Sequence, residues 1–393
     1  MRRMTAVLFL LLVAIPVVAQ SPPLQVPYRQ FRLNNGLTVI MHQDKSVPIV
    51  ATNVWYHVGS ANERPGRTGF AHLFEHLMFE GSKNVKEGEF DNLLERAGGN
   101  NNGSTTNDRT NYVIDVPSNA LELALFLESD RMAYLLEPKN PKRVDLQRDV
   151  VKNERRQSYE NAPYGMASLE MDRLLWPANH PYNWPVIGEM ADLTAASYDD
   201  VEQFFKKYYT PSNASLVVAG DIDYDRTKAL VEKYFNEVPK GELVEPVAPP
   251  AAMLTGVTRK TITDRVTLPR IYLAWLTPRL YAPGDATLDM VSSVLAGGKN
   301  SRLYSASCTT CRSRRTSRRI SSRPRSAAHS RSWPRRGPAR TSSRFSASST
   351  KRWTSFARRL PPIVRCSVRS IRLRRRSIGA WRGSVGSAAR RTS

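Results

Sequence analysis

The chain has 393 residues, long enough for two domains, and a formal net charge of +23. The charge is unevenly distributed, because residues 301–393 hold 25 arginines, one lysine and no acidic residue, whereas residues 1–300 hold 32 basic and 35 acidic side chains. The first 300 residues therefore have the composition of a slightly acidic globular protein, and not of a nucleic-acid-binding one. All three cysteines lie in the basic tail, so residues 1–300 contain no disulfide and no thiolate metal site.

The N-terminal residues predict export. Arg2 and Arg3 precede an apolar segment at 6–15 that is too short to span a bilayer, and Val17-Val18-Ala19 is a small-residue cleavage site. The sequence therefore predicts a signal peptide over residues 1–19 and a periplasmic or secreted protein, with no stable membrane insertion after cleavage. An uncleaved membrane anchor is the alternative.

The elements that follow define a first domain over residues 25–236. It begins with a predicted hairpin, because two apolar stretches flank Asn35-Gly36, a strong signal for a two-residue turn. Further strands are predicted at 49–58, 110–116 and 215–219, and helices at 69–79, 89–97, 121–136, 142–159 and 198–209.

The helix predicted at 69–79 carries the motif His72-Leu73-Phe74-Glu75-His76. Two histidines four residues apart share one helix face, about 6 Å apart along the axis, where one zinc ion can bind both imidazoles. Glu75 is adjacent to the second histidine and is near enough to take a proton from a water that the metal activates. The order H-x-x-E-H is typical of the inverzincins. A pair of hydrogen-bonded histidines on a core helix is the alternative.

Zinc in a catalytic site needs a third protein ligand and an open position. The candidate is Glu154, which lies in a charge-rich run on the helix predicted at 142–159. Glu160 and Glu170 are rivals. Spacing alone favours a solvent-exposed helical glutamate over a ligand at this position.

Several stretches in order resemble the catalytic half of the M16 metallopeptidases, the family of pitrilysin, insulin-degrading enzyme and mitochondrial processing peptidase. The resemblance runs from Arg32 to Gly220. The matching stretches are Gly69 to Gly81, Gly98-Gly99 before Asn102, Thr110-Asn111-Tyr112, Val150 to Glu154, Tyr208 to Asn213 and Leu216 to Asp221.

The resemblance implies a zinc metalloendopeptidase that hydrolyses extended peptides or small proteins. By this resemblance His72, His76 and Glu154 bind Zn²⁺, Glu75 is the general base, and Asn102 lies on a strand that holds extended substrate. An ordinary loop position is the alternative for Asn102. The implied fold is α+β, with helices packed on a mostly antiparallel sheet, followed by a truncated second α/β domain. A second M16-type half is the implied partner, and a non-catalytic scaffold subunit of such a paired complex is the alternative function.

Two departures from the family pattern bear on activity. Many members have a second glutamate seven residues before the third ligand, where this chain has Gln147. In addition, the segment from Gly297 to Tyr304 resembles one that the family follows with a substrate-holding arginine and tyrosine, but this chain leaves the pattern after Tyr304.

The remaining residues divide into a linker, the start of a second domain and a tail. Residues 237–254 are rich in proline and small residues and predict a linker, and residues 255–304 predict a second domain with a strand at 266–275 and a helix at 286–295. Residues 305–393 lack acidic residues and apolar periodicity, which predicts a disordered or out-of-frame tail. A nucleic-acid-binding arm is the alternative, but an exported zinc protein has no evident use for one, so we expect no nucleic-acid partner.

Overall fold

The computed structural model describes residues 25–304 except residue 138, together with the backbone of 317–322 and 328–334. The predicted signal peptide at 1–19 lies outside the described residues. So does the tail apart from those two segments, and the prediction of disorder for the rest of it stays a prediction.

A six-stranded sheet organises the first domain, with the strand order β1-β2-β6-β3-β5-β4. Four of its neighbouring pairs are antiparallel, and β2 with β6 is the parallel one, so the expected mostly antiparallel α+β fold is confirmed. The strands are β1 (Arg29–Arg32), β2 (Thr38–Gln43), β3 (Ile49–Tyr56), β4 (Asn100–Thr105), β5 (Thr110–Pro117) and β6 (Ala214–Gly220).

Buried and half-buried side chains alternate along the central strands, so one face of this sheet is buried. In β3, Val50, Thr52, Val54 and Tyr56 are fully buried while the residues between them are half-buried, and β5 and β6 follow the same period of two. The helices therefore pack on one face, where the side chains of three neighbouring strands form the floor of the core. The predicted hairpin is confirmed, because β1 and β2 pair across a turn in which Gly36 has φ +94°.

Eight helices occupy the described part of the first domain. They are α1 (Phe70–Leu77), α2 (Glu89–Arg96), α3 (Leu121–Tyr134), α4 (Pro141–Arg155), α5 (Met166–Leu175), α6 (Met190–Ala195), α7 (Tyr198–Tyr208) and α8 (Tyr224–Phe235). The predicted helices match α1 to α4 and α7, except that α4 ends at Arg155 and a π-helical turn, Arg156–Glu160, continues it. On α1 the apolar residues that recur at helical spacing are buried, with Phe70 and Phe74 at most 2 % exposed. None of the described helices is long and apolar enough to cross a membrane.

The residue patterns did not predict β4, α5, α6 and α8, although the family resemblance placed Asn102 of β4 on a strand. The strand β4 reads Asn-Asn-Asn-Gly-Ser-Thr and has no apolar alternation, because it is an edge strand held by backbone pairing to β5 alone. An edge strand of this composition carries little side-chain signal, so residue patterns alone do not reveal it.

The second unit begins after a segment without helix or strand between α8 and β7 (Leu273–Thr277). The strand predicted at 266–275 is therefore shorter and later than expected, whereas the helix predicted at 286–295 matches α9 (Asp285–Ala296), which α10 (Arg302–Tyr304) follows. The tail contributes two described strands, β8 (Ser317–Ser322) and β9 (Ala328–Pro334). β9 pairs antiparallel with β7, and β8 pairs antiparallel with β9. Regular structure was not predicted there, because backbone pairing needs no apolar period.

Candidate metal centre

The helix α1 presents its two histidines on the side opposite the core. His72 and His76 are half-buried, and their ring centroids are 4.8 Å apart with an interplanar angle of 74°. The buried residues Leu73, Phe74 and Leu77 hold the other side of the helix against the sheet. The i, i+4 spacing therefore directs both imidazoles into the space beside α4.

Glu154, in the last turn of α4, faces both rings. Its Oε2 lies 3.3 Å from Nε2 of His76 and 3.8 Å from Nε2 of His72. Among the described residues these three form the group whose ligand atoms could hold a metal, and all of those atoms lie within 4.8 Å of one another. The rivals are elsewhere, because Glu160 contacts Arg155 and Glu170 contacts Arg173.

The donor set fits a zinc ion. Zinc–nitrogen and zinc–oxygen bonds of about 2.0–2.2 Å at tetrahedral angles separate neighbouring ligand atoms by roughly 3.3–3.6 Å, close to the two nitrogen–oxygen distances. Burial, together with the neighbouring His76, lowers the pKa of His72 to about 4, so this ring is neutral at neutral pH and offers a lone pair. The Nδ1 atom of His72 is buried without a described hydrogen-bond partner, which leaves Nε2 as the nitrogen that faces the carboxylate.

Glu75 lies on the same face of α1 and is held from the edge strand. Thr105 of β4 donates a hydrogen bond of 2.5 Å from Oγ1 to Oε2 of Glu75. Burial raises the pKa of Glu75, while the Thr105 hydrogen bond and the charge of His76 oppose that effect. The strand passes α1 so closely that a Cβ on Gly103 would lie 2.9 Å from Cγ of Glu75. Glycine is therefore required where the strand crosses the helix.

A cleft of about 370 Å³ opens onto these groups. Its lining includes the polar residues Glu75, Thr105 and Glu154, together with Tyr159 and the apolar residues Val186 and Ile187. The cleft thus combines convergent polar groups with an apolar surface, as expected of a site that binds a small segment of another molecule.

Comparison with known proteins assigns the chain to a family. The family model described as "Insulinase (Peptidase family M16)" matches residues 38–171, and the model described as "Peptidase M16 inactive domain" matches residues 195–310. The chain belongs to the M16 peptidase family. The resemblance seen in the sequence is confirmed, and the matches end close to the start of the basic tail.

Relatives of the M16 chain include proteins named as zinc proteases. A protein named "Zinc protease PqqE" from Helicobacter pylori is 34% identical over 284 residues, which is 70% of this chain and 62% of that protein. An "Uncharacterized zinc protease YmxG" from Bacillus subtilis is 26% identical over 278 residues, or 70% of this chain and 66% of that one. The M16 chain therefore spans somewhat less than two thirds of the length of the first of these relatives.

Solved structures share the M16 fold. A protease from Helicobacter pylori superposes with a TM-score of 0.75 and 27% identity over 86% of this chain and 82% of that one. The first half of the periplasmic protease PqqL from Escherichia coli has a TM-score of 0.66 and 20% identity, covering 84% of this chain and 72% of that one. The second likeness bears on the fold alone.

At Gln147, where the chain departs from the M16 pattern, the side chain contacts Glu80, a residue that the sequence did not single out. Gln147 is buried, and its Nε2 donates a 2.5 Å hydrogen bond to Oε1 of Glu80, four residues after His76. Burial raises the pKa of Glu80, and the nearby Glu87 raises it further. The i, i+4 relation to His76 was the available signal for Glu80, but its contact with Gln147 depends on how α4 packs.

Asn102 lies on the exposed edge strand of the M16 domain. It pairs with Val113 of β5, and its Oδ1 accepts a hydrogen bond from the backbone N–H of Gly103 at 2.8 Å. Its other side faces no further strand of the sheet, because β4 ends the strand order. Asn102 is thus on a strand and not in a loop, and it does not line the cleft beside His72 and Glu154.

Glu63, a further residue that sequence reasoning missed, caps α1. Its two carboxylate oxygens accept hydrogen bonds from the backbone N–H groups of Gly69 and Ala71 at 2.9 and 2.8 Å. Burial outweighs these hydrogen bonds and raises the pKa of Glu63 to about 8. This role could not be predicted from the sequence, because Glu63 lies several residues before the helix and forms no capping motif with it.

Proposed function

We propose that the chain is a zinc-dependent metalloendopeptidase in which His72, His76 and Glu154 bind the metal and Glu75 is the general base. The observation that carries this proposal is the convergence of two imidazole nitrogens and one carboxylate oxygen within 4.8 Å. Two nitrogens and one oxygen form a donor set used by catalytic zinc sites, which keep one position open. Membership of the M16 family and the zinc-protease names of its relatives support the same conclusion.

In the proposed reaction the protein moves a proton through Glu75. When bound, zinc would supply the Lewis acidity that polarises a peptide carbonyl and makes water a better nucleophile. Glu75 would take a proton from the attacking water and give it to the leaving amine. Its raised pKa brings its basicity nearer to neutral pH, where general bases work best, and Thr105 fixes the orientation of one carboxylate oxygen.

The substrate is proposed to be an extended peptide that adds to the edge of the sheet. Among the described residues β4 is the last strand of the sheet, and it runs past Glu75 at Gly103, so a peptide paired with its outer edge would pass the metal-binding cluster. Asn102 would bind this peptide in the extended state. Backbone pairing makes such recognition partly independent of the substrate's side chains.

We further propose that the protein acts in the periplasm or outside the cell, together with a second M16-type half. The predicted signal peptide supports this location, and the Escherichia coli neighbour PqqL is itself named a periplasmic protease. The departure from the family pattern after Tyr304 supports the second half, because the segment that resembles Gly297 to Tyr304 is followed in the family by a substrate-holding arginine and tyrosine.

Two glutamine substitutions test the proposal, with the C-terminal half of an M16 relative added to the assay. Glu75→Gln keeps the shape of the side chain but removes the base, so zinc should stay bound while peptide hydrolysis falls by at least ~10²-fold. Glu154→Gln should instead weaken zinc binding first. Zinc is measured by elemental analysis and hydrolysis with a fluorogenic peptide. Undiminished hydrolysis by Glu75→Gln would refute the catalytic role.

A non-catalytic scaffold subunit is the second candidate. One observation favours it, since the family model that matches residues 195–310 is described as an inactive domain. In that case the parent protein would bind zinc, but it would not hydrolyse peptides with any added M16-type half. Activity of the parent that Glu75→Gln abolishes excludes the scaffold.

A further inference from the structure

Arg155, which directly follows Glu154, is buried at the end of α4. Only 6% of its side chain is exposed, and each guanidinium nitrogen has an acceptor. Nε contacts Oε1 of Glu160 at 3.3 Å, Nη2 contacts Oε2 of Glu189 at 3.1 Å, and Nη1 donates to the backbone carbonyl of Gly188. A planar guanidinium with three fixed acceptors has one orientation, and a buried cation is costly to leave unpaired.

The loop that Arg155 holds, residues 185–189, packs against the start of α1. A Cβ on Gly188 would lie 2.5 Å from Cα of Gly69, so the two backbones are in direct contact. The backbone N–H of Glu189 donates a 2.9 Å hydrogen bond to Oγ1 of Thr68. Gly69 precedes the first residue of α1, and its carbonyl accepts the hydrogen bond from Leu73 that closes the first turn.

Arg155 therefore connects the two helices that carry the metal-binding cluster. Through Gly188 and Gly69 it reaches α1 three residues before His72, and through the backbone it adjoins Glu154. The same loop supplies Val186 and Ile187 to the wall of the cleft. Any shift of the guanidinium would move Glu154 relative to α1.

Local structure at the end of α4 does not hold Glu154 by itself. The last turn of a helix has carbonyls without intrahelical partners and tends to fray. Here the helix also changes to a π-helical turn at Arg156–Glu160, a rare geometry that recurs at functional sites. A tertiary contact is needed to define where the carboxylate lies.

We infer that Arg155 is a positioning residue that sets the distance between the carboxylate of Glu154 and the imidazoles of His72 and His76. The inference rests on the proposed function, since it concerns the same metal site. It assigns to Arg155 no contact with metal or substrate, because its three nitrogens are all committed to the residues named above.

The experiment titrates the full chain with Co²⁺ alone and follows the visible absorption of the bound ion. Arg155→Met removes the charge and the hydrogen bonds while keeping an apolar stem. The dissociation constant for Co²⁺ should rise at least about tenfold, the low end for residues that hold metal ligands in place, and the absorption band should change because the donor geometry changes. The matched control is Arg156→Met, whose exposed side chain contacts Asn153 of its own helix and should leave both readouts unchanged.

A role in stability alone would lower the midpoint of thermal unfolding but leave the Co²⁺ affinity and spectrum at parent values, and this result would overturn the inference. If Arg155→Met does not fold, as judged by circular dichroism, Arg155→Lys decides, because it keeps the charge but not the three-way hydrogen bonding. Weaker binding by Arg155→Lys supports the inference, and parent-like binding overturns it. A parent protein that binds no Co²⁺ would refute the proposed function itself, and the inference with it, so the two failures are distinct.

Discussion

Replacing Gly103 with alanine should impair catalysis without releasing the metal. The new Cβ would lie 2.9 Å from Cγ of Glu75 and 3.1 and 3.3 Å from two ring atoms of Phe79. Carbon atoms in favourable contact are about 3.5–4.0 Å apart, so roughly 0.6 Å or more of movement is needed. Phe79 cannot supply it, because its ring packs edge-on against Phe90 and Tyr112 at 5.9 and 5.7 Å. The side chain of Glu75 or the strand β4 must move instead.

The magnitude follows from the role of Glu75. A misplacement of about 1 Å at a reacting group costs on the order of 10²-fold in rate, so a shift of this size should lower kcat/KM for peptide hydrolysis by roughly 10- to 10²-fold. Overpacking a well-packed site costs about 1–3 kcal/mol of unfolding free energy, so the protein should remain folded. Zinc content should stay at the parent value, because the three atoms nearest to the new Cβ belong to Glu75 and Phe79 and not to His72, His76 or Glu154.

The assay compares Gly103→Ala with Gly256→Ala, a glycine whose added Cβ would have no atom within 4 Å. Hydrolysis of a fluorogenic peptide, zinc content by elemental analysis and unfolding in urea are measured on all three proteins, with the second M16-type half added in the activity assay. Full activity of Gly103→Ala would show that the close approach of β4 to α1 does not determine the position of Glu75. Loss of zinc would show that the strand supports the metal ligands and not the base.

Two further predictions concern the groups that hold α1 and Glu75. Thr105→Val removes the hydroxyl that donates a hydrogen bond to the Glu75 carboxylate. Since a hydrogen bond to a charged group contributes about 1.5–3 kcal/mol, kcat should fall by on the order of tenfold or more while the zinc content stays constant. The control Thr105→Ser keeps the hydroxyl and should keep parent activity. For Glu63, the pKa of about 8 in the folded protein exceeds that of an unfolded glutamate, about 4.3, so its contribution to stability is complete below the lower value and is lost as pH rises through the higher. The unfolding free energy of the parent minus that of Glu63→Gln should therefore fall between about pH 5 and pH 8, by at most about 1.4 kcal/mol per pH unit, and a constant difference in urea unfolding over that range would contradict the assignment.

The helix α1 and its motif were predictable because their information is local. The spacing of Phe70 and Phe74 determines which side is buried, and the four-residue spacing of His72 and His76 then places both rings on the opposite side. The Asn35-Gly36 hairpin was predictable for the same reason, since the backbone conformation of a two-residue turn depends on the residues in it.

The third member of the cluster was not predictable from spacing, and only the family resemblance singled it out. Glu154 lies 78 positions after His76, in a helix whose charge pattern also fits a solvent-exposed face. Its carboxylate faces the rings because α4 packs beside α1, and Arg155, Gly188 and Gly69 connect the two helices by contacts far apart in the chain.

The strand β4 shows the same limit more sharply. Residues Asn100–Thr105 have no apolar alternation and become a strand only because β5 offers backbone partners. The periodic helices, the hairpin and the histidine pair could be predicted from residue patterns, because their physical cause lies within a few residues. The pairing of β4, the orientation of Glu154 toward the two rings and the groups that hold Glu75 depend on tertiary contacts, because backbone pairing and contacts between distant segments leave no periodic trace in the sequence.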